Sequence, residues 1–387
     1  MPTSTKSRTI SRQIASEIIS GKYRQTGRLP SEAQFVVRFK VSRPTIVRAL
    51  RELQDEGLID RRKGSGTYVR PEQARPLESH SLPRLGLIVP SLCHTEIFET
   101  LCGELAGLAR VNDFTLLGGA SAFAVGETKM TVQQAEELCS RFVESNVVGV
   151  FFVPFEDQPD SEVANQRIAE LLRQAGIPMV LLDRDLGAFP YRSEYDIVGV
   201  DNYAGGYLLG MHLAKLGAMR LAYVMRPFTA PTVKSRIAGA RMAMLDYGLE
   251  VPQRFVRVGD PTDLKFVRSV AQSQQLDAVF CTSDHVAAQF LQSLTRLGIH
   301  VPKDLRVVGF DDIRFANLLS VPLTTVEQPY RDIATTAFNA LRERIKNANM
   351  PPRILMLTPR IVVRETCGAY LKSSPSLVTS SASTPRM

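Results

Sequence analysis

Residues 42–69 read SRPTIVRALRELQDEGLIDRRKGSGTYV, and the spacing of apolar side chains in this stretch decides what the first part of the chain is. Ile46, Ala49, Leu50 and Leu53 follow an i, i+3, i+4, i+7 pattern, the buried stripe of a helix running from about Arg43 to Glu56. Ser42 stands where it can cap that helix, and Pro44 falls in the first turn, where a missing N–H costs little. With the stripe turned inward, Pro44, Thr45, Arg48 and Arg51 face away from the core and Arg43 sits at the N-terminal tip. Gly57 ends the helix, and Leu58 to Arg62 and Thr67 to Val69 read as two short strands around Lys63-Gly64-Ser65-Gly66. A helix anchored on one side can place its first turns in a major groove, where an arginine pairs with guanine or grips a phosphate. The basic, glycine-tipped hairpin can approach a neighbouring minor groove.

Upstream, Leu29-Pro30-Ser31-Glu32 opens a shorter helix with Ser31 as N-cap and Ala33, Val36, Val37 and Phe39 on its apolar side. Ile10, Ile14, Ile18 and Ile19 share a face of a first helix that ends near Gly21. Charge supports a polyanionic partner for this region. Residues 1–70 hold 15 Lys and Arg against 6 Asp and Glu, whereas the whole 387-residue chain is only +8. All the excess positive charge therefore lies in the first fifth, where a phosphate backbone rewards it through counterion release.

The strings LPSEAQF and VSRPTIVRALRELQDEGLIDRRKGSGTYV resemble the winged helix-turn-helix of the GntR family over roughly residues 8–70. The resemblance implies operator binding as a homodimer, with Ser42, Arg43, Thr45 and Arg48 on the recognition helix and Lys63 and Gly64 at the wing tip. Together with Ser31, Glu32, Pro44 and Gly66 these are the candidate DNA-contacting residues. Ala33 and Val47 depart from the pattern, standing where the family often carries a DNA-contacting arginine.

Residues 71–84, with Pro71, Pro76 and Pro83, read as a linker, and 367–387 as a disordered Ser/Thr/Pro-rich tail. Between them, residues 85–366 alternate apolar runs with helical patterns. Leu85–Val89, Phe114–Leu117, Val147–Val153, Met179–Leu182, Ile197–Val200, Leu221–Met225, Ala278–Cys281 and Leu305–Gly309 are the candidate strands. This alternation predicts an α/β domain of doubly wound parallel sheets, and the number of strands predicts two lobes with a cleft between them. Ligands bind such sheets beyond the carboxyl ends of the strands. Ser91, Asp183, Asp201-Asn202, Ser283-Asp284 and Asp311-Asp312 occupy those positions, with Phe98 and Phe315 as aromatic covers for a ring. A polyol needs this chemistry, because each hydroxyl donates to a carboxylate and accepts from an arginine or amide. A capping or loop-end role serves equally well for any single aspartate.

IPMVLLDRDL, DNYAGGYLLGMHLAKLG, SRIAGARMAML, VFCTSDHVAAQFLQSLTRLGIHVPKDLRVVGFDD and PLTTVEQP…RIVVRET resemble the effector domain of LacI/GalR-type repressors, which has the periplasmic-binding-protein fold. The resemblance places Asp183, Arg236 and Asp311 at ligand contacts and Ser283 where an asparagine is usual. It matches the turn from Val89 through Ser91, His94 and Phe98 to the first-lobe ligand loop. The pairing of modules is similar to that of Gram-positive arabinose repressors.

The expectation is a cytoplasmic, sugar-responsive repressor, with double-stranded operator DNA and a small carbohydrate as partners and no cofactor. The alternative is a sugar-binding activator or a co-repressor-dependent regulator. A transport binding protein would need a secretory leader, and Met1 to Gln13 carry none; no run approaches the roughly 18 apolar residues of a membrane span. An aminotransferase-type enzyme would need a Schiff-base lysine, for which no motif occurs, and no Walker loop, HExxH or GxSxG is present. The five cysteines form no CxxC pair, so neither a zinc site nor a disulfide framework is suggested.

Overall fold

A computed structural model of the chain describes residues 7–371 except 8–9, 12, 16, 19–21, 24–25, 56, 63–65, 71–81, 91–95, 119–129, 157–159, 188–189, 191, 228 and 273–275. The chain divides into two compact units, Met1–Leu82 and Pro83–Met387.

In the first unit a helical segment buries Ile10, Ile14 and Ile18 against α1 (Glu32–Phe39) and α2 (Arg43–Asp55). Ile46, Ala49, Leu50 and Leu53 are each fully buried, as the period of α2 predicts. Ser31 caps α1 in a capping box with Gln34, and Lys40 leaves the helix in the left-handed conformation. β1 (Ile59–Arg62) and β2 (Gly66–Val69) pair antiparallel, Arg62 opposite Gly66. Gly66 has φ 129°, a conformation that favours glycine, and it lets the mobile Arg28 guanidinium pack against its Cα. Half-buried Glu17 receives Arg38 and Tyr23; the Arg38 guanidinium holds its carboxyl down at about 2, which clasps the first helical segment to α1.

The second unit has two lobes. In the first, β3 (Arg84–Ile88), β4 (Thr115–Gly118), β5 (Val147–Phe152), β6 (Met179–Leu182), β7 (Asp196–Val200) and β13 (Ile354–Leu357) form an all-parallel sheet ordered β13-β7-β6-β5-β3-β4. Helices α3 (Glu96–Val111), α4 (Val132–Glu144), α5 (Ser161–Gln174) and α10 (Tyr330–Lys346) accompany it. Phe338 of α10 packs on Phe151 of β5 and Phe114, 6.4 and 5.9 Å between centroids, and fully burying such a ring contributes about 1.5–3 kcal/mol.

In the second lobe, β8 (Leu221–Met225), β9 (Val256–Val258), β10 (Ala278–Cys281) and β11 (Arg306–Val308) form a parallel sheet ordered β11-β10-β8-β9. Its helices are α6 (Asn202–Lys215), α7 (Thr232–Asp246), α8 (Leu264–Ala271) and α9 (Asp284–Arg296). β12 (Thr325–Glu327) continues beside β11 and pairs antiparallel with β14 (Arg360–Val362). α6 and α7 pack with backbones almost touching: a Cβ on Gly206 would sit 1.9 Å from the Arg236 carbonyl oxygen.

The chain crosses between the lobes three times, at Asp201 after β7, at Pro329 after β12, and between β13 and β14. The Asp201 amide donates to the Leu357 carbonyl at 2.9 Å, joining the first crossing to the third. At the opposite end of β7 from the crossings, Asp196 is fully buried; burial pushes its carboxyl up, but Arg353 and Arg344 outweigh it and hold it below the usual range. The eight expected strands are all present. Periodicity did not show that α10 and β13 return to the first sheet. Cys367, the first residue of the expected tail, is fully buried in the core, whereas Tyr370 and Leu371 beyond it are exposed.

Candidate functional site

The second unit holds a cavity of about 450 Å³ lined from both lobes. Every sheet-derived lining residue follows the carboxyl end of a strand, where a parallel sheet leaves room. From the first lobe come Phe98 at the start of α3, Glu156 beyond β5, and Asp183 and Arg184 beyond β6. From the second come Arg226 beyond β8, Thr282 and Ser283 beyond β10, Asp311 beyond β11, Gln328 beyond β12, and Arg236 from α7. β3 lies between β4 and β5, and β8 between β9 and β10, so the strands preceding Phe98 and Arg226 are the points where chain direction across each sheet reverses.

Two acidic residues enter this cavity on unusual backbone. Asp183 has φ 69° and Asp311 φ 123°, conformations that L-residues adopt at a cost and that persist where the surroundings over-determine them. Asp311 is 3 % exposed, and burial pushes its carboxyl up to about 7 against the opposing pull of Arg236 and of its hydrogen bond from Gln328. Gln328 Nε2 donates to Asp311 Oδ1 at 2.8 Å, and the Tyr330 hydroxyl donates to the Asp311 carbonyl at 2.8 Å. Arg236, 7 % exposed, donates from Nε to Asn202 Oδ1 at 2.6 Å and from Nη1 to the Thr282 carbonyl at 2.8 Å, while its guanidinium carbon lies 3.8 Å from the Phe310 ring centroid. Across the cavity Arg184 is ion-paired with Asp183 at 3.0 Å and with Glu156, its guanidinium 5.9 Å from the Phe98 ring. The result is a small enclosure with carboxylates and guanidiniums from both lobes and one aromatic wall.

Of the expected ligand residues, Phe98, Asp183, Arg236, Ser283 and Asp311 line this one cavity. Ser91 and His94 lie outside the described residues. Ser283 also caps α9, its hydroxyl accepting from the Val286 amide at 3.3 Å. Phe315 is corrected: it is not among the lining residues, and its ring packs edge-on against His285. Asp201 is an N-cap, accepting from the Ala204 amide at 2.9 Å; Asp312 pairs with Arg364 at 2.6 Å; Asp284 is fully buried on Thr325 and Ile313. These three take the capping and structural role open to any strand-end aspartate. Sequence reasoning missed Glu156, Arg184, Thr282 and Gln328, whose signal would have been the same strand-end position.

On the first unit, Ser42, Arg43, Pro44 and Arg48 are exposed along α2 and Thr45 is half-buried, the Ser42 and Thr45 hydroxyls 2.9 Å apart. Glu32 is not a free contact. It holds Arg43 at 3.0 Å and Arg61 of the wing strand, while Ser31 is occupied in its capping box. Gly66 stands opposite Arg62 at the turn end of the wing hairpin; Lys63 and Gly64 lie outside the described residues. Ala33 is exposed and Val47 half-buried.

Residues 6–69 match the model of bacterial regulatory proteins of the gntR family, and residues 211–367 that of the periplasmic binding protein-like domain. The HTH-type transcriptional repressor PurR of Vibrio campbellii is 34 % identical over 303 residues, 77 % of this chain and 85 % of that protein. The chain belongs to the PurR/LacI family of repressors. It is a GntR/LacI-type fusion, a DNA-binding transcriptional repressor with a ligand-binding domain, and not an enzyme. DNA is therefore a partner of the chain. PurR of Vibrio cholerae (strain M66-2) is 34 % identical over a shorter span of 201 residues, 51 % of the repressor and 59 % of that protein. Among solved structures, the transcriptional regulator CelR–cellobiose complex has TM-score 0.62 and 23 % identity, covering 84 % of this chain and 91 % of that one. A LacI family regulator from Enterococcus faecium with bound ribose has TM-score 0.58 and 23 % identity, over 73 % of this chain and 98 % of that one. Both share the fold of the repressor.

Proposed function

We propose that the cavity takes a neutral, hydroxyl-rich, sugar-like effector, and that its binding releases a cytoplasmic homodimer of the repressor from a pseudo-palindromic operator. One observation carries the reading: Asp183, Asp311 and Arg236 converge on a cavity of about 450 Å³ walled by Phe98. Carboxylates accept from hydroxyls, a guanidinium donates to them, and the ring covers the apolar face of a pyranose or furanose. The volume lies within the usual range for small-molecule sites, about 300–1,000 Å³. Cellobiose and ribose in two chains of the same fold support the class. Ser283 supplies a hydroxyl. The effector acts only through its differential affinity for two lobe arrangements. A thermal-shift screen of D-ribose, D-xylose, D-glucose, D-galactose and cellobiose, followed by anisotropy of operator DNA with any hit, tests it. Absence of a hit sinks the sugar, and a hit that tightens operator binding sinks the release.

The Asp311 carboxyl makes the binding pH-dependent. Its folded pKa lies above its ordinary 3.8, so the effector-free fold loses stability as pH rises from about 4 through about 7. A hydroxyl donated to the anion offsets that loss. Effector affinity should therefore rise about tenfold between pH 6 and pH 8, following the ionised fraction of Asp311. Calorimetric titration across that range should show the rise in the wild type and a flat profile in Asp311→Asn.

On the DNA side, Arg43, Thr45 and Arg48 meet base edges and phosphates, with Ser42 and Pro44 at the helix tip and the wing strand that begins at Gly66 alongside. Glu32 orients two of the arginines, so its role is to position them. Glu32→Gln removes a negative charge and frees Arg43 and Arg61. Binding to a scrambled duplex should hold or strengthen while binding to a selected operator weakens about tenfold, the scale of one misdirected base contact. Equal weakening on both duplexes would refute the positioning role.

A further inference from the structure

Arg236 reaches the cavity from the second lobe, yet its Nε is held by Asn202, a residue that does not line the cavity and lies beside the first crossing between lobes. The same Asn202 side chain donates from Nδ2 to the carbonyl of Val200, the last residue of β7 in the first lobe, at 3.0 Å. Asn202 is 6 % exposed, so neither bond competes with bulk water. Its amide thus spends its acceptor on the guanidinium and a donor on the crossing strand. Around it the geometry is tight: the Arg236 backbone is pressed against Gly206 of the helix that Asn202 begins, and the Asp201 amide ties the first crossing to the third. A turn of one lobe about Val200–Asp201 cannot leave the Asn202 amide in place without breaking one of its two bonds.

We propose that Asn202 is a positioning residue that sets the direction of the Arg236 guanidinium and the angle between the lobes together. This rests on the reading of the cavity as the effector site. Binding at Arg236 then biases the crossing strand, and a change at the crossing redirects Arg236. Asn202 itself touches no effector.

Two substitutions divide its functions. Asn202→Asp keeps an oxygen for Arg236 but sets the other oxygen against the Val200 carbonyl, cutting the tie to the crossing. Asn202→Ala cuts both. The lobe angle is read in the full-length protein by double electron–electron resonance between labels on non-natural amino acids at Val163 of α5 and Arg268 of α8, both exposed. Without any sugar, both N202A and N202D should give a shifted and broader interlobe distance distribution than the wild type. A wild-type distribution in N202D overturns the proposal, and N202D alone decides if N202A fails to fold. With the best sugar of the panel, N202D should keep its thermal shift and lose the sugar's effect on operator affinity; an unchanged effect also overturns it. If no sugar shifts the wild type, the sugar reading has failed and the distance arm still judges Asn202.

Discussion

Replacing Arg236 by alanine should abolish thermal stabilisation by the effector, with a loss of affinity on the order of a hundredfold. A charge-assisted hydrogen bond contributes about 1.5–3 kcal/mol, and a fork that offers two of them to vicinal hydroxyls accounts for that factor. The guanidinium cannot be replaced from nearby. Arg184 is engaged by Glu156 and Asp183, and Arg226 is held at 3.2 Å by Asp260 and at 2.8 Å by Gln289. The effector-free protein should also weaken by about 1–3 kcal/mol, because Asn202 and the Thr282 carbonyl lose a buried donor. Arg236→Lys separates charge from geometry: it keeps the cation near Asp311 but loses the planar fork, so stability should recover more than affinity. Retention of the full thermal shift by Arg236→Ala would mean that the effector binds elsewhere.

Much of this arrangement could be read from residue order, and the limit is physical. Runs such as MVLL at 179–182 and AVFC at 278–281 are apolar on both faces, which only a covered parallel strand tolerates, so the two-lobed sheets were legible. Asp183, Arg236, Ser283 and Asp311 were legible because a motif fixed their places and the carboxyl ends of strands fixed their direction. Which sheet a strand joins is a different matter. β13 and β14 are separated by two residues, yet one pairs with β7 in the first lobe and the other with β12 in the second, and no local period encodes that choice. The same limit hid Gln328, whose partner lies 17 residues away, and the tie by which Asn202, expected at a strand end as a ligand candidate, instead holds Arg236, 34 residues away. Phe315 fails for the converse reason: it stands seven residues beyond β11 where Asp311 stands three, and a 3-10 turn at Arg314–Asn317 directs its ring to His285. In the first unit the stripe of α2 gave the exposed face of the helix, whereas the capture of Arg43 and Arg61 by Glu32 depended on how the helices and wing meet.

That exposed face carries the other large effect. The double variant Arg43→Ala/Arg48→Ala should lose more than about a hundredfold in operator affinity at physiological salt, since each good arginine pairing with a base is worth about 1–3 kcal/mol. Its stability should move by no more than about 0.5 kcal/mol, as for surface sites generally. Arg48 is exposed and the Arg43 side chain is 75 % exposed, so its ion pair with Glu32 contributes little to folding. The two singles, measured on a selected operator and a scrambled duplex over a range of salt, separate the two kinds of role. If the arginine removed had gripped a phosphate, affinity falls for both duplexes and the salt slope is reduced by about 0.9. If it had read a base, affinity falls for the operator alone and the slope is unchanged. Arg43 at the helix tip, oriented by Glu32, should behave as the base reader, because a side chain that only needed to find a phosphate would gain nothing from being aimed. A double variant that keeps wild-type operator affinity would show that α2 does not enter the groove by this face, and the wing would then have to carry the recognition.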